Sequence, residues 1–363
     1  MNAPIPLVRA AGEPREIGRV HGRSARREIA DNLALYARRY RDELGLERAE
    51  VRRRAGAWLE RVRELDPDYA ETVEGLAEGC GQPLLELAAL NARYELFYSA
   101  FALEGRAAAC TACALLPPQA QGHLLLGENW DWFPEVRGLW LRVSLGGLTV
   151  LGFTEAGIAG PKIGLNSAGI ALTVNGLLSH LDRWDGEGVP FHVRTWRVLR
   201  ARGLEEAITA VEEGGSPCSA HFLVGDARTG TAVSLERAPP GTARIHPQGG
   251  VLVHANHFLR ADALGVREPL AVEGSSSFHR QERLTEVLEG AAATGFLSVE
   301  HVQEALRDHA GYPESVCRHE SPLFPPSLNY QTTLSVVMDV TAERVHYAPG
   351  PPCGTAYHVL ELD

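Results

Sequence analysis

No stretch of this 363-residue chain stays apolar for the roughly 20 residues that a membrane-spanning helix needs. Its opening, MNAPIPLVRAAGEPRE, lacks the basic-then-apolar layout of a secretion signal. These absences predict a cytoplasmic protein without a membrane partner. Cysteine is scarce, with six residues at 80, 110, 113, 218, 317 and 353. That argues against a disulfide scaffold and predicts reduced thiols. A basic excess is missing as well. The net charge of −11 speaks against nucleic acid as the main partner. The arginines alternate with glutamates along apparent helices instead of clustering. Neither an internal repeat nor a low-complexity linker occurs. What remains is 45% apolar and 22% charged, an ordinary globular balance with ample length for a core.

The first hundred or so residues carry helical periodicity. Val51, Ala55, Trp58, Leu59, Val62 and Leu65 share one face, and Asp66-Pro67 interrupts the pattern. Tyr69 to Ala77 resumes it up to Cys80-Gly81, and a further helix is predicted over Leu84 to Phe101. After Cys110 the texture changes to short apolar runs bounded by Gly and Pro, as strands are: ACALL, HLLLGEN, LWLRVSL, LTVLGF. IGLNSAGIALTV predicts two strands around an Asn-Ser-Ala-Gly turn. Helices fit 191–202, 204–213, 278–288 and 298–309, with strand-like AHFLVGD, TAVSLER and GVLVHANHF between them. TTLSVVMDV and ERVHYAPG predict a final hairpin. Strand blocks separated by helix pairs point to an α+β layered body and not to an alternating parallel sheet.

The segment AAACTACALL raises three chemistries for Cys110 and Cys113. A redox pair needs a helix N-terminus to lower its thiol pKa, but Leu-Leu-Pro-Pro follows. A shared metal is disfavoured because residues three apart in a strand face opposite ways, and no second Cys-x-x-Cys completes the site. His254 and His257 meet the same objection. The third chemistry is a nucleophile at a strand start, preceded by the small residues Ala107-Ala108-Ala109. The Cys110 thiol would attack the Ala109 carbonyl, and hydrolysis of the thioester would free the Cys110 amine. An α-amine near pKa ~8 beside a thiol near ~8.5 would then hold base and nucleophile in one residue.

Cys110-Thr111 together with GENWDW (127–132) resembles the isopenicillin N acyltransferase branch of the N-terminal nucleophile hydrolases. GEPREIGRVHG (12–22), LNARYEL (90–96), GLNSAGIALTVNGL (164–177), VHANHF (253–258), YPESVCRH (312–319) and TTLSVVMD (332–339) resemble further blocks of that family in the right order. The resemblance implies a four-layer αββα sandwich with an N-terminal helical segment, and self-cleavage between Ala109 and Cys110. Residues 1–109 would become a helical α chain and 110–363 the catalytic β chain, the two staying together as a heterodimer. It also implies acyl transfer or hydrolysis on a small-molecule amide or acyl-CoA-like substrate, with no metal or organic cofactor.

Roles follow the matching motifs. Cys110 is the expected nucleophile and Cys113 a core thiol. Asp131 would hold the new α-amine, and Asn175 and Asn256 would stabilise the oxyanion. Each has a plainer alternative: an Asx turn for Asp131, a hairpin turn for Asn175-Gly176, backbone satisfaction for Asn256. Thr111 places a hydroxyl near the site or is a β-former, and Asn129 supports the Asp131 turn or merely closes it. His257 is expected to support the site without touching the reacting atoms. Ser275-Ser276-Ser277 and Arg280 suggest a helix N-cap and a surface charge. Cys317-Arg318 either lines the pocket or pairs a core thiol with a structural arginine. Two positions depart from the family pattern: Ala109 replaces the usual glycine, and Ser327-Leu328-Asn329 lacks the arginine of the penicillin enzyme, which argues against penicillin synthesis. An arginine of the related penicillin V acylases and bile salt hydrolases is replaced here by Glu128. Rival readings are an uncleaved binding protein on the same fold, and a redox or zinc protein using Cys110 and Cys113.

Overall fold

The computed structural model describes residues 4–104, 109–269, 275–327 and 329–363. Ala107 and Ala108, and Leu328, lie outside them. The chain opens with Leu7–Ala11 (β1), followed by helices Pro14–Ser24 (α1), Arg26–Leu44 (α2), Arg48–Leu65 (α3), Pro67–Cys80 (α4), Leu84–Asn91 (α5) and Arg93–Glu104 (α6). Strands Ala109–Leu115 (β2), Leu125–Trp132 (β3), Gly138–Leu145 (β4), Leu148–Glu155 (β5), Ile163–Asn166 (β6) and Ile170–Gly176 (β7) come next. Phe191–Leu199 (α7) and Leu204–Glu212 (α8) precede Ala220–Asp226 (β8), Thr231–Ala238 (β9), Gly241–Ile245 (β10) and Val251–His254 (β11). Ala261–Leu264 (α9), Ser276–Ala292 (α10) and Val299–Ala305 (α11) lead to Gln331–Asp339 (β12), Arg344–Ala348 (β13) and His358–Glu361 (β14).

Local chemistry sets several of these boundaries. The predicted break at Asp66-Pro67 is a helix cap: the Asp66 carboxylate accepts from Tyr69 N, and Pro67 fills the first turn, where a missing N–H costs nothing. α2 and α4 end on left-handed Gly45 and Gly81. The single helix predicted over 84–101 is two helices with a corner at Ala92. At that corner the Asn91 amide spans from Leu87 O to Gly157 O (2.8 and 2.9 Å), tying the bend to the sheet beyond. The GRVHG motif has a packing reason. A Cβ on Gly18 would lie 2.1 Å from Thr72 O, and one on Gly75 would lie 2.0 Å from Arg15 O. Gly22 and Gly79, one turn along their helices, are similarly blocked. α1 and α4 therefore cross backbone to backbone.

Two sheets face each other. The first runs β1-β4-β5-β6-β7-β8-β9-β10, antiparallel except for the parallel β1–β4 pair. The second runs β11-β2-β3-β12-β13-β14, antiparallel throughout. β2 and β3 pack on β7 and β8 across the interface, where Gly225 makes room for Leu124 and Leu126. α7 and α8 cover the outer face of the first sheet, joined by the N-terminal helices in one continuous core. α10 and α11 cover the outer face of the second around Cys113, Leu115, Leu284, Val302 and Leu306. The layering is αββα, as the family resemblance implies. The expected final hairpin is β12–β13, and the two strands around the Asn-Ser-Ala-Gly turn are β6 and β7. β1 belongs to the first sheet, so the helical leader also contributes a strand to the body.

Candidate active site

Cys110 is the second residue of β2, and strand alternation sorts its neighbours onto two faces. Cys110, Ala112 and Ala114 look into the large core between the sheets, while Cys113 and Leu115 join the core under α10 and α11. Cys110 and Cys113 thus belong to different cores, which removes the geometry that a shared metal or a local redox pair would need. The register pairs Cys110 with Trp130, Ala109 with Asp131, and Thr111 with Asn129.

β11 and the loop after it bring Asn256 to the head of β2. The Cys110 N–H donates to Asn256 Oδ1 (2.7 Å), and Asn256 Nδ2 donates to Gly176 O (3.0 Å) at the end of β7. Asn256 therefore ties the cysteine backbone to the opposite sheet. Arg280 closes the other side. Its Nη1 donates to the Cys110 carbonyl (2.5 Å) and to Thr111 Oγ1 (2.7 Å), and its Nη2 donates to Asn256 Oδ1 (3.0 Å). The predicted surface charge is in fact 1% exposed. α10 is amphipathic with Arg280 on its inward face, where buried acceptors take up the guanidinium. The Ser275 cap is as expected, its Oγ accepting from Ser277 N, but Ser277 is buried. It accepts from Asn256 N (2.7 Å) and bonds His257 Nδ1 (2.8 Å). His257 also stacks on Phe278, and burial pushes its imidazole down to about 3, so it stays neutral.

Asp131 lies within β3, not in a turn. Its Oδ1 accepts from Thr332 Oγ1 (2.7 Å) on β12, and Thr332 Oγ1 in turn accepts from Arg318 N (3.0 Å). Asp131 Oδ2 is buried with no hydrogen-bond partner among the described residues. Burial raises this carboxyl to about 6 against the pull of Arg280 and Arg318. Asn129 is also a ladder residue. Its amide donates to Leu306 O and Val316 O (2.8 Å each), fastening the end of α11 and the following loop to the sheet. Asn175 pairs with His221 in the β7–β8 ladder, so the turn suggested by Asn-Gly is absent. Its Oδ1 meets His221 Nδ1 (2.6 Å), and its Nδ2 reaches His254 O at 3.5 Å. His221 stacks on His254 at 3.6 Å, and His254 bonds Glu236 (2.8 Å), making a buried polar chain between the sheets.

The Cys110 thiol is raised far above its ordinary value by burial, then by Glu128 and Asp131, with the Asp131 N–H and Arg280 opposing. Glu128 shares the inward face of β3 with Trp130 and accepts from Val174 N (3.1 Å). Burial lifts its carboxyl as well, with the Val174 N–H and Lys162 opposing. In this state the thiol carries its proton.

A small cavity in front of the sulfur is walled by Tyr94, Tyr98, Trp130, Trp132 and Phe191, with Arg93 and Lys162 at its edge. Its free space is about 20 Å³, room for a single water. Tyr94 stacks between Tyr98 (3.8 Å) and Phe191 (3.9 Å). Glu155 holds both cations, pairing with Arg93 and with Lys162 (2.5 Å). Burial pulls Lys162 down to about 7 while Glu155 opposes, and its ammonium sits 3.5 Å over the Trp130 ring. Trp130 also lines an outer cleft of about 590 Å³ with Ile5, Phe153 and Thr333. The indole is thus the partition between the cleft and the sulfur.

Sequence reasoning missed Arg280, Ser277, Glu128, Arg93 and Lys162 as parts of this centre. The one available signal was Arg280 at helical spacing with Leu284 on α10, an arginine in an apolar stripe.

Residues 119–341, more than half of the chain, match the family described as acyl-coenzyme A:6-aminopenicillanic acid acyl-transferase. The acyl-coenzyme A:6-aminopenicillanic-acid-acyltransferase 40 kDa form of Emericella nidulans is 30% identical over 325 residues, covering 86% of this chain and 84% of the relative. Among solved structures, a variant of the conjugated bile acid hydrolase of Clostridium perfringens has a TM-score of 0.49 at 13% identity, covering 70% of this chain and 92% of that one. The penicillin V acylase of Agrobacterium tumefaciens has 0.46 at 15% identity, covering 69% and 84%.

Proposed function

Because the chain belongs to the acyl-coenzyme A:6-aminopenicillanic acid acyltransferase family, we propose that it is a self-processing cysteine enzyme that moves or hydrolyses an acyl group held as an amide or thioester. The observation that carries this reading is the fixing of Cys110 at the head of β2. Asn256 Oδ1 accepts its N–H, Arg280 donates to its carbonyl, and its sulfur faces the aromatic cavity.

In the uncut chain the Cys110 sulfur attacks the Ala109 carbonyl and gives up its proton to the departing Cys110 nitrogen. The peptide C–N bond breaks, and water hydrolyses the thioester. The freed α-amine then draws the thiol proton, replacing a costly buried thiolate with an ion pair. Asp131, whose second oxygen has no hydrogen-bond partner among the described residues, steadies that ammonium. A substrate carbonyl entering past Trp130 is attacked by the thiolate. Asn256 Nδ2 has one N–H beyond that given to Gly176 O, and Asn175 has only its 3.5 Å bond to surrender; these two amides receive the oxyanion. The amine returns the proton to the leaving group, and water or an acceptor amine releases the acyl-enzyme. Thr111, Asn129 and His257 act by holding Arg280, the β3 ladder and Ser277. The aromatic walls suit an apolar acyl group once they part beyond the present single-water space, and the Arg93–Lys162 edge, two cations on one Glu155, suits an anionic substituent. No metal or organic cofactor enters these steps.

Intact-mass measurement on purified protein tests the first step. The expected result is two chains, the second beginning at Cys110, which remain associated under native conditions. A lasting full-length chain that binds acyl compounds without turnover would instead establish a binding protein. A screen of amides and acyl thioesters with and without an amine acceptor then separates hydrolysis from transfer.

A further inference from the structure

Four metal-ligating side chains converge at a place none of the Cys110 chemistry uses. His309 follows α11, Cys317 and His319 lie in the loop running on toward β12, and Cys353 sits between β13 and β14. Their donor atoms all lie within 4.8 Å of one another. His319 Nε2 is 3.1 Å from His309 Nε2, 3.5 Å from Cys317 Sγ and 3.4 Å from Cys353 Sγ. One imidazole nitrogen has either a single hydrogen or a single lone pair, so hydrogen bonding satisfies one of these approaches and not three. A cation at their centre satisfies all of them. Zinc bonds of about 2.0–2.1 Å to nitrogen and about 2.3 Å to sulfur set tetrahedral ligand atoms roughly 3.3–3.8 Å apart. The observed separations fall close to that range. No motif announces the set, because Cys353 joins His309, Cys317 and His319 only through the fold.

We propose that His309, Cys317, His319 and Cys353 form a four-ligand zinc site. With all four positions supplied by protein, the ion is structural and holds no water for catalysis. It joins the loop after α11 to the turn before β14. The same loop offers Val316 O to Asn129 and its Arg318 N–H to Thr332, which holds Asp131. The ion therefore fixes a stretch in which the ligands Cys317 and His319 alternate with Val316 and Arg318, the residues that brace the candidate centre. Zinc binding expels the two thiol protons, and it would protect Cys353, otherwise an exposed thiol, from oxidation.

The test uses full-length protein made without a polyhistidine tag, equilibrated with micromolar zinc and freed of excess. Elemental analysis should find about one zinc per chain, as a closed four-ligand site requires. Cobalt in its place should give the intense visible bands of a tetrahedral thiolate complex. The Cys353→Ala and His309→Ala variants should each lose the zinc and the bands, and a chelator should lower the Tm of the parent but not of Cys353→Ala. A parent protein that carries no zinc, retention of full metal by both variants, or a Cys317–Cys353 disulfide in protein isolated without reductant would each overturn the proposal.

Discussion

Replacing Arg280 by leucine removes the one group that reaches the Cys110 carbonyl, Thr111 Oγ1 and Asn256 Oδ1 together. Each hydrogen bond from a charged donor contributes about 1.5–3 kcal/mol, though three sharing one guanidinium are not additive. Removing one member of a buried charge set costs about 3–5 kcal/mol, because its partners are left behind in a medium that cannot solvate them. Here those partners include Asp131, whose carboxyl Arg280 holds down against burial. A loss of about 4 kcal/mol is expected for Arg280→Leu, a large part of a typical 5–15 kcal/mol fold stability. Arg280→Lys keeps the charge but loses the fork, and about 2 kcal/mol is expected. Urea unfolding on the Cys110→Ala background measures this on one continuous chain. In the Cys110 background, mass spectrometry should show slowed or abolished cleavage for both variants. Arg280→Leu within about 1 kcal/mol of its parent, with cleavage at the parental rate, would refute the assignment.

Cys110→Ala should abolish cleavage and turnover while Cys113→Ala spares both, read by mass and by acyl release; the reverse pattern would transfer the nucleophile to Cys113. Gly75→Ala should destabilise by at least about 1–3 kcal/mol in urea unfolding, since its Cβ meets the Arg15 backbone oxygen at 2.0 Å. Glu95, buried against Phe191 N, is raised by burial to about 7 from an ordinary 4.5. Between those values the native state holds the extra proton, so stability should fall as pH rises through the window and then level off. Glu95→Gln keeps the acceptor, should flatten that dependence and should stabilise the protein by about 3 kcal/mol above pH 7, measured as unfolding free energy against pH.

Layer type and most element positions were legible because short apolar runs bounded by Gly and Pro favour strands, and 3.6-residue stripes favour helices. The corner at Ala92 was not, since Leu84 to Phe101 is buried almost throughout, its polar Asn91, Arg93 and Glu95 included, and its break serves Asn91's reach to Gly157. Cys110 stood out through its setting of small residues and the motif order around it. Arg280 did not, because a cation near a serine-rich helix start has the signature of solvent. Its burial is decided by Cys110 and Thr111, which lie 170 and 169 residues away in sequence and supply its acceptors. Asn175 carried a turn signature, yet the β7–β8 ladder continues straight through it. Pairings of this kind depend on sheet order, which local pattern does not encode.

β1 is hydrogen-bonded along β4, and α6 supplies Tyr94 and Tyr98 to the wall facing the sulfur. A nick ahead of Cys110 would subtract connectivity and leave these contacts standing. Dilution alone should therefore not part the two fragments. Once unfolded, however, they would have to find each other by collision, where the intact precursor has only a loop to close. Recovery from denaturant should depend on protein concentration after the nick and not before it. The mature molecule would then be assembled once, and lasting only as long as it never comes apart.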